Sequence, residues 1–183
     1  MGSELGQDIL VDKILKNKTN GYFLDIGGSF YENLNNTFFF EKERNWKGIA
    51  VELLDIYQEG WLVNRKNTIF ILEDAVKVDY QKVLDENEFP KIIDFLSVDI
   101  DPNTATFDAL KKVMETNYQF NVIAFETDYG GDLQHPDRFS VRDPSRALLS
   151  AKGYVLVKEI YTGNYHVDDL WVHKSIYDHS IEL

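Results

Sequence analysis

Tyr22-Phe23-Leu24-Asp25-Ile26-Gly27-Gly28 is the stretch on which the reading of this chain turns. Four apolar residues and one acid in five positions suit a short buried strand better than a helix. The two glycines after it allow positive φ and a close approach of backbone to ligand. A loop then reaches Asn36-Thr37, either of which can cap a helix running to Arg44. The next apolar run, Gly48–Val51, closes on Glu52, 24 residues beyond Gly28. Strand, glycine turn, helix, strand and acid make the opening of a βαβ unit. Its ligand belongs beyond the strand ends, with the acid placed for the hydroxyls of a bound ribose.

The same alternation continues outward. Thr68–Leu72, Ile92–Val98 and Phe120–Phe125 read as further buried strands. Asp55 caps a segment towards Arg65, and Asp79 one ending near Asn87. Thr104–Thr116 sets Phe107, Leu110, Val113 and Met114 on one helical face. Asp143-Pro144 and Gly153 bracket a helix over Ser145–Lys152. Tyr154–Tyr161 and His166–His173, joined by Thr162-Gly163-Asn164, predict a closing hairpin. Apolar spacing over Leu5–Lys18 predicts an N-terminal helix, within residues 1–20, covering one edge of the sheet. No linker or repeat divides the sequence. The expectation is one α/β domain over residues 1–183, a Rossmann-like three-layer sandwich with a mixed seven-stranded sheet and an antiparallel C-terminal hairpin.

Composition narrows the function. The chain has 183 residues, 44% hydrophobic and 14% aromatic, enough to bury a core. Its 19 basic and 31 acidic side chains give a net charge of −12, which argues against nucleic acid as the partner. No apolar stretch approaches the ~20 residues of a membrane span. Cysteine is absent, and Met1–Asp8 lacks the pattern of a secretory signal, so the expected location is cytoplasmic and no membrane association is expected.

The acids cluster in a telling way. Asp25, Glu52, Glu73-Asp74, Asp99 with Asp101, and Glu126 each end or directly follow one of the five presumed parallel strands. Helix capping explains some acids at such places. Five together suit a ligand rich in hydroxyl and amino groups, or one carrying positive charge. The dinucleotide fingerprint is incomplete at Gly27-Gly28-Ser29-Phe30, and a pyrophosphate would meet an acidic cleft. S-adenosyl-L-methionine fits better, with its ribose, adenine, amino group and sulfonium and a single carboxylate.

With these residues in view, Ser3–Glu52 resembles the start of the FkbM family of S-adenosylmethionine-dependent methyltransferases. The matching elements are Gln7-Asp8, Asp25-Ile26-Gly27 through Asn36-Thr37, Glu41-Lys42, Trp46–Ile49 and Val51-Glu52. Asp94–Asp99, Val122–Thr127 and Asp168–Ser175 resemble its later blocks. The resemblance implies a class I methyltransferase fold. It further implies O-methylation of a small hydroxylated acceptor such as a sugar or glycan. Two departures stand out. Ser29-Phe30-Tyr31 replaces a common Asn-Asp-Gly, which brings a bulky ring towards the cofactor's methionine end, and Ile100-Asp101-Pro102-Asn103 replaces a turn that often reads Thr-Glu-Gly.

By that resemblance Asp25 and Gly27, with Gly28 beside them, line the methionine end. Glu52 bridges the ribose hydroxyls, and Asp74 with Ala75 contacts the adenine. Asn36 and Thr37 either hold the amino-acid carboxylate or merely cap their helix. Methyl transfer also needs a base near the acceptor. Asp99, Glu126 and His135 are the leading candidates, with Asp101, Asp128 and His166 nearby in sequence order. Asp99, which also borders the cofactor, and Glu126 end neighbouring strands. The two either share a proton or bind a hard cation such as Mg²⁺. The compact chain leaves room for a second subunit to complete the acceptor site. Two other readings stay open: a non-catalytic S-adenosylmethionine-binding protein and a nucleotide-dependent oxidoreductase.

Overall fold

In a computed structural model the described residues are 2–130 and 140–180. The chain runs α1 (Gln7–Ile14), β1 (Tyr22–Ile26), α2 (Phe38–Arg44), β2 (Lys47–Glu52), a 3₁₀ turn (Asp55–Tyr57) and α3 (Gln58–Asn64). It continues through β3 (Thr68–Leu72), α4 (Tyr80–Glu86), β4 (Ile92–Val98), α5 (Asn103–Glu115) and β5 (Gln119–Glu126). The last elements are α6 (Arg142–Ala151), β6 (Tyr154–Thr162) and β7 (Tyr165–His173). The strand order is β3-β2-β1-β4-β5-β7-β6. The first five strands are parallel, and β7 runs antiparallel between β5 and β6. This is the mixed seven-stranded sheet expected from the sequence, with the hairpin folded back so that its second strand joins the sheet.

Strand parity divides the core. Leu24 and Ile26 of β1, with Leu96 and Val98 of β4, face a cluster that includes Leu84 of α4, Leu110 and Val113 of α5, and Leu149 of α6. Phe23 and Phe95 face the other side, where Val11 and Ile14 of α1, Phe40 of α2 and Trp46 are buried. Asp79 caps α4, its side chain accepting from the Lys82 amide at 3.0 Å. Three consecutive phenylalanines open α2, and only Phe40 is fully buried, stacked on Trp46 with ring centroids 4.4 Å apart.

The N-terminal helix departs from expectation in length and place. It stops at Ile14 because Lys16 and Asn17 turn left-handed, with φ of 54° and 57°. Its apolar side lies against β4, β5 and β7 rather than along an edge, since Val11 and Ile14 join the cluster over Phe95, Val122 and Val172. That position brings Gln7 to the carboxyl ends of the strands. No helix among the described residues is long and apolar enough to cross a membrane.

Gly27 lies tight against the backbone that follows β4. Its φ is 85°, and a Cβ there would lie 1.7 Å from the Asp99 carbonyl oxygen. Gly27→Ala is therefore expected to destabilise the fold by about 2–4 kcal/mol, combining left-handed strain with a backbone clash. Urea denaturation measures this, and an unchanged midpoint would show that the rim has slack.

Candidate active site

The carboxylates at the strand ends share one parity. Glu52 pairs with Leu72, and Glu126 with Asp168. Ile26 pairs with Val51 and Val98, and Val98 with Phe125. One step further along the register stand Gly27 beside Glu52 and Asp99, and Asp99 beside Glu126. Glu52, Gly27, Asp99, Glu126 and Asp168 thus form a single row across five strands, on the side that carries α1 and α2.

Glu52 is the most ordered member. Its Oε2 accepts from the Ser29 amide at 2.9 Å and its Oε1 from the Leu54 amide at 2.8 Å. A carboxylate held by two amides keeps lone pairs on both oxygens for further donors. A cleft of about 450 Å³ opens over Glu52, Gly27 and Asp99. Its walls include Ser29, Leu53, Leu54 and Tyr57 on one side and Asp74 and Ala75 beyond β3, with Ile100, Asp101 and Ala105 after β4. Asp74 accepts from the Val76 amide at 3.1 Å and pairs with Lys77 at 3.2 Å. The Lys77 contact first, and that amide second, hold its carboxyl below the ordinary value.

Five of the sequence-derived cofactor residues, Gly27, Glu52, Asp74, Ala75 and Asp99, line this cleft. Asp25, Gly28, Asn36 and Thr37 lie elsewhere. Asp25 is 3% exposed, and its Oδ2 accepts from Thr37 Oγ1 at 2.7 Å and from Asn35 Nδ2 at 3.0 Å. Burial raises its pKa, against the lowering pull of Thr37, Arg65 and Asn35. Thr37 is fully buried and its hydroxyl makes no cap to α2, turning to Asp25 instead. Asn36 donates to Ser97 Oγ at 3.0 Å. Gly28 makes room for the Trp61 ring, 2.8 Å from where a Cβ would lie, and Trp61 Nε1 donates to the Ser29 carbonyl at 2.9 Å. These four residues hold the loop that presents Ser29 to Glu52. The Phe30 ring, expected near the cofactor's methionine end, instead turns outward, 52% exposed, edge-on to Tyr57. Ser29 takes φ 37°, supplying the left-handed turn.

Arg65 lies beneath that loop, 1% exposed, and nothing in its sequence position marks it. Its Nε donates to Glu41 Oε2 at 2.6 Å, Nη1 to the Tyr31 carbonyl at 2.8 Å and Asn35 Oδ1 at 3.1 Å, and Nη2 to Thr37 Oγ1 at 3.0 Å. Burial lowers its pKa, offset by Glu41 and Asp25.

On the far side of Asp99 the row becomes crowded. Asp99 and Glu126 end neighbouring strands, and each bears on the other's ionisation, so that the two carboxyls do not ionise independently. Asp99 is exposed at the cleft and Glu126 half-buried. Desolvation of the carboxyls raises both, Asp99 pushes Glu126 further, well above the carboxylate range, and Asp101, Glu4 and Asp128 add repulsion on Asp99. Asp168 is 5% exposed and accepts from Gln7 Nε2 at 2.5 Å. Burial foremost, with Asp99 and Asp169, raises its pKa to about 7 against the pull of Gln7 and His166. Sequence reading made little of Asp168, since its partners, Glu126 across the sheet and Gln7 at the start of the chain, are remote in sequence. His135 lies outside the described residues. His166 is buried and bonds Asp169 Oδ1 at 2.9 Å rather than facing the cleft.

Neither reading of the Asp99–Glu126 pair, shared proton or Mg²⁺, is singled out by the geometry, and Mg²⁺ receives no support from the similar structures reported below. Among the described residues one cluster has the spacing of a metal site, Glu159, His166 and Asp169. Arg146 crosses it, its Nε and Nη2 each 2.7 Å from an Asp169 oxygen and Nη2 2.5 Å from Glu159 Oε1. The guanidinium supplies the positive charge there.

No protein-family profile matches the chain, and no curated protein matches its sequence. Solved structures do. TrmK of M. capricolum, solved with S-adenosyl-homocysteine, is 14% identical with a TM-score of 0.60, covering 94% of this chain and 71% of its own. A TehB-like SAM-dependent methyltransferase from Corynebacterium glutamicum is 12% identical with a TM-score of 0.57, covering 94% and 89%. Aeropyrum pernix fibrillarin, with natively bound S-adenosyl-L-methionine, is 13% identical with a TM-score of 0.56, covering 93% and 74%. The fold is that of the class I methyltransferases, and the FkbM resemblance receives no support beyond it.

Two outcomes follow from this electrostatics. Arg65→Met strands Glu41 in the interior and is expected to cost about 3–5 kcal/mol in chemical denaturation. Asp168 has a folded-state pKa of about 7 against 3.8 for the free group, so its stability contribution is intact below about pH 4 and falls as pH rises to 7. Asp168→Asn should therefore gain about 2–4 kcal/mol over the parent at pH 8 and nothing at pH 4. Equal stability difference at both pH values would remove Asp168 from this account.

Proposed function

We propose that this chain binds S-adenosyl-L-methionine in the cleft over Glu52 and methylates a hydroxyl of a small acceptor, a sugar or glycan, presented at Asp99 and Glu126. The observation that carries the reading is Glu52. Both of its oxygens are fixed by backbone amides at the floor of a cleft of about 450 Å³, the size class of small-ligand sites. A ribose diol is the donor pair that such a carboxylate takes. Asp74 and Ala75, at the other wall, suit an adenine and its amino group.

Bound there, the cofactor supplies a methyl group activated on a sulfonium. The protein's own task is to place the acceptor hydroxyl in line and to take its proton. Asp99 and Glu126, holding one proton between them, retain one carboxylate charge for that purpose. Asp168 and Gln7 back Glu126 from the opposite side and limit water around it. Leu53, Leu54 and Tyr57 flank the cleft with apolar surface. Nothing in the row suits a polyanion, which favours a neutral hydroxylated acceptor over nucleic acid.

Titration calorimetry with S-adenosyl-L-methionine tests the cofactor half. Glu52→Ala should weaken binding about 10²–10⁴-fold, from two charge-assisted contacts at ~1.5–3 kcal/mol each. Release of S-adenosylhomocysteine over a panel of sugars tests the transfer half. Glu126→Gln should lower kcat about 10²–10⁴-fold with cofactor affinity kept. Binding without turnover on any hydroxylated acceptor would favour a cofactor-binding protein instead. Tight NAD binding in place of S-adenosyl-L-methionine would overturn the reading.

A further inference from the structure

The two edges of the sheet are built differently. β6, at one edge, carries Lys158 and Glu159 and breaks its register with β7 twice, at Leu156/Lys158 and at Ile160/Tyr161. Charges and irregularities of this kind keep an edge strand from pairing with another chain. β3, at the other edge, has neither. Thr68-Ile69-Phe70-Ile71-Leu72 contains no charge and no proline, and its pairing with β2 is regular. Ile69 and Leu72 are 42% and 41% exposed, and Leu62 and Val63 of the neighbouring α3 are more than half exposed.

The main chain of β3 is ready to pair. The Gly48 amide donates to the Asn67 carbonyl, and the Glu73 amide to the Glu52 carbonyl. In a parallel ladder this sets the peptide groups of residues 67, 69, 71 and 73 towards β2. Thr68, Phe70 and Leu72 turn theirs outward, where the sheet ends; the Thr68 amide is already given to the Arg65 carbonyl at 3.2 Å, so Thr68 offers its carbonyl alone.

Charge selects what pairs there. Lys66 precedes the strand and Glu73-Asp74 follows it, all flanking an uncharged centre. Let a second copy lie antiparallel about a two-fold axis at Phe70. Then Phe70 meets Phe70, Thr68 meets Leu72, Asn67 meets Glu73, and Lys66 meets Asp74. This register bonds Phe70 to Phe70 through both peptide groups and the Leu72 amide to the Thr68 carbonyl, and unlike charges meet at both ends. A parallel arrangement would set Lys66 beside Lys66 and Glu73 beside Glu73. For chains of net charge −12, a neutral edge with opposite charges at its ends is where two copies approach at least cost.

We propose that two copies of this chain join through β3, antiparallel and centred on Phe70, into one sheet continuous across both. A two-fold pairing of this kind is closed and self-complementary. The interface does not depend on the proposed chemistry, although the strand leads directly into Asp74 and Ala75 at the cleft.

Sedimentation equilibrium of the full chain up to about 100 μM tests it, in the affinity range that residual association would occupy. The parent should sediment at twice the chain mass. Ile69→Lys, at an exposed position, should shift it to monomer, raising Kd at least about tenfold, with the far-ultraviolet circular dichroism unchanged. Lys66→Glu should weaken the dimer more than Lys66→Gln, and added salt should narrow that difference. A parent that stays monomeric, a dimer that survives Ile69→Lys, or an open-ended polymer would each overturn the proposal.

Discussion

The arrangement of the rim rests on one buried cation. Arg65 reaches Glu41 of α2, the Tyr31 carbonyl, Asn35 and Thr37 from a single guanidinium. Thr37 and Asn35 in turn satisfy Asp25 in the middle of β1. The loop between β1 and α2 is thereby pinned from below. Its Ser29 amide can then fix one oxygen of Glu52, while the Leu54 amide fixes the other. The cleft is shaped by polar contacts that never face it.

That indirectness explains what could be read in the sequence and what could not. Strands carry their identity locally: Tyr22–Ile26, Thr68–Leu72 and Ile92–Val98 occupy the spans that their apolar runs predict. Glu52, Asp74 and Asp99 were legible for the same reason, since an acid ending a buried strand lies at the rim by connectivity alone. Asp25 is different. It stands one residue before the end of β1, and its parity turns it under the loop, where Thr37 and Asn35 claim it. Gly28, read as a ligand-approach glycine, also makes room for the Trp61 ring. Arg65 and Arg146 gave no signal, because their meaning lies in partners that only the folded chain brings near.

The N-terminal helix shows the same rule at larger scale. Its amphipathic spacing is local and visible, but which surface it covers is decided by Phe95, Val122 and Val172 on three different strands. Placed there, α1 delivers Gln7 to Asp168 over a separation of 161 residues. A helix along the sheet edge would have left Asp168 with no amide donor. The position of α1 therefore bears on the Asp168 end of the row as well as on stability.

Four buried acids of the described residues each have a cation of their own. Glu41 has Arg65, Asp12 has Arg44, Asp94 has Lys18, and Asp169 has Arg146. Each of these lies off the cleft. The members of the rim row receive no such partner among the described residues: Glu52 is held by amides and Asp168 by Gln7, while Asp99 and Glu126 bear on one another's ionisation. Enclosing a carboxyl without a cation is costly, and the raised pKa of buried Asp168 is that cost made visible. Asp99 and Glu126, less enclosed, are raised by desolvation of their carboxyls and, at Glu126, by the Asp99 charge. A ligand bringing hydroxyl donors and a positive charge to the row would relieve it. Under the proposed function, the unbalanced acids are where cofactor and acceptor would complete the molecule.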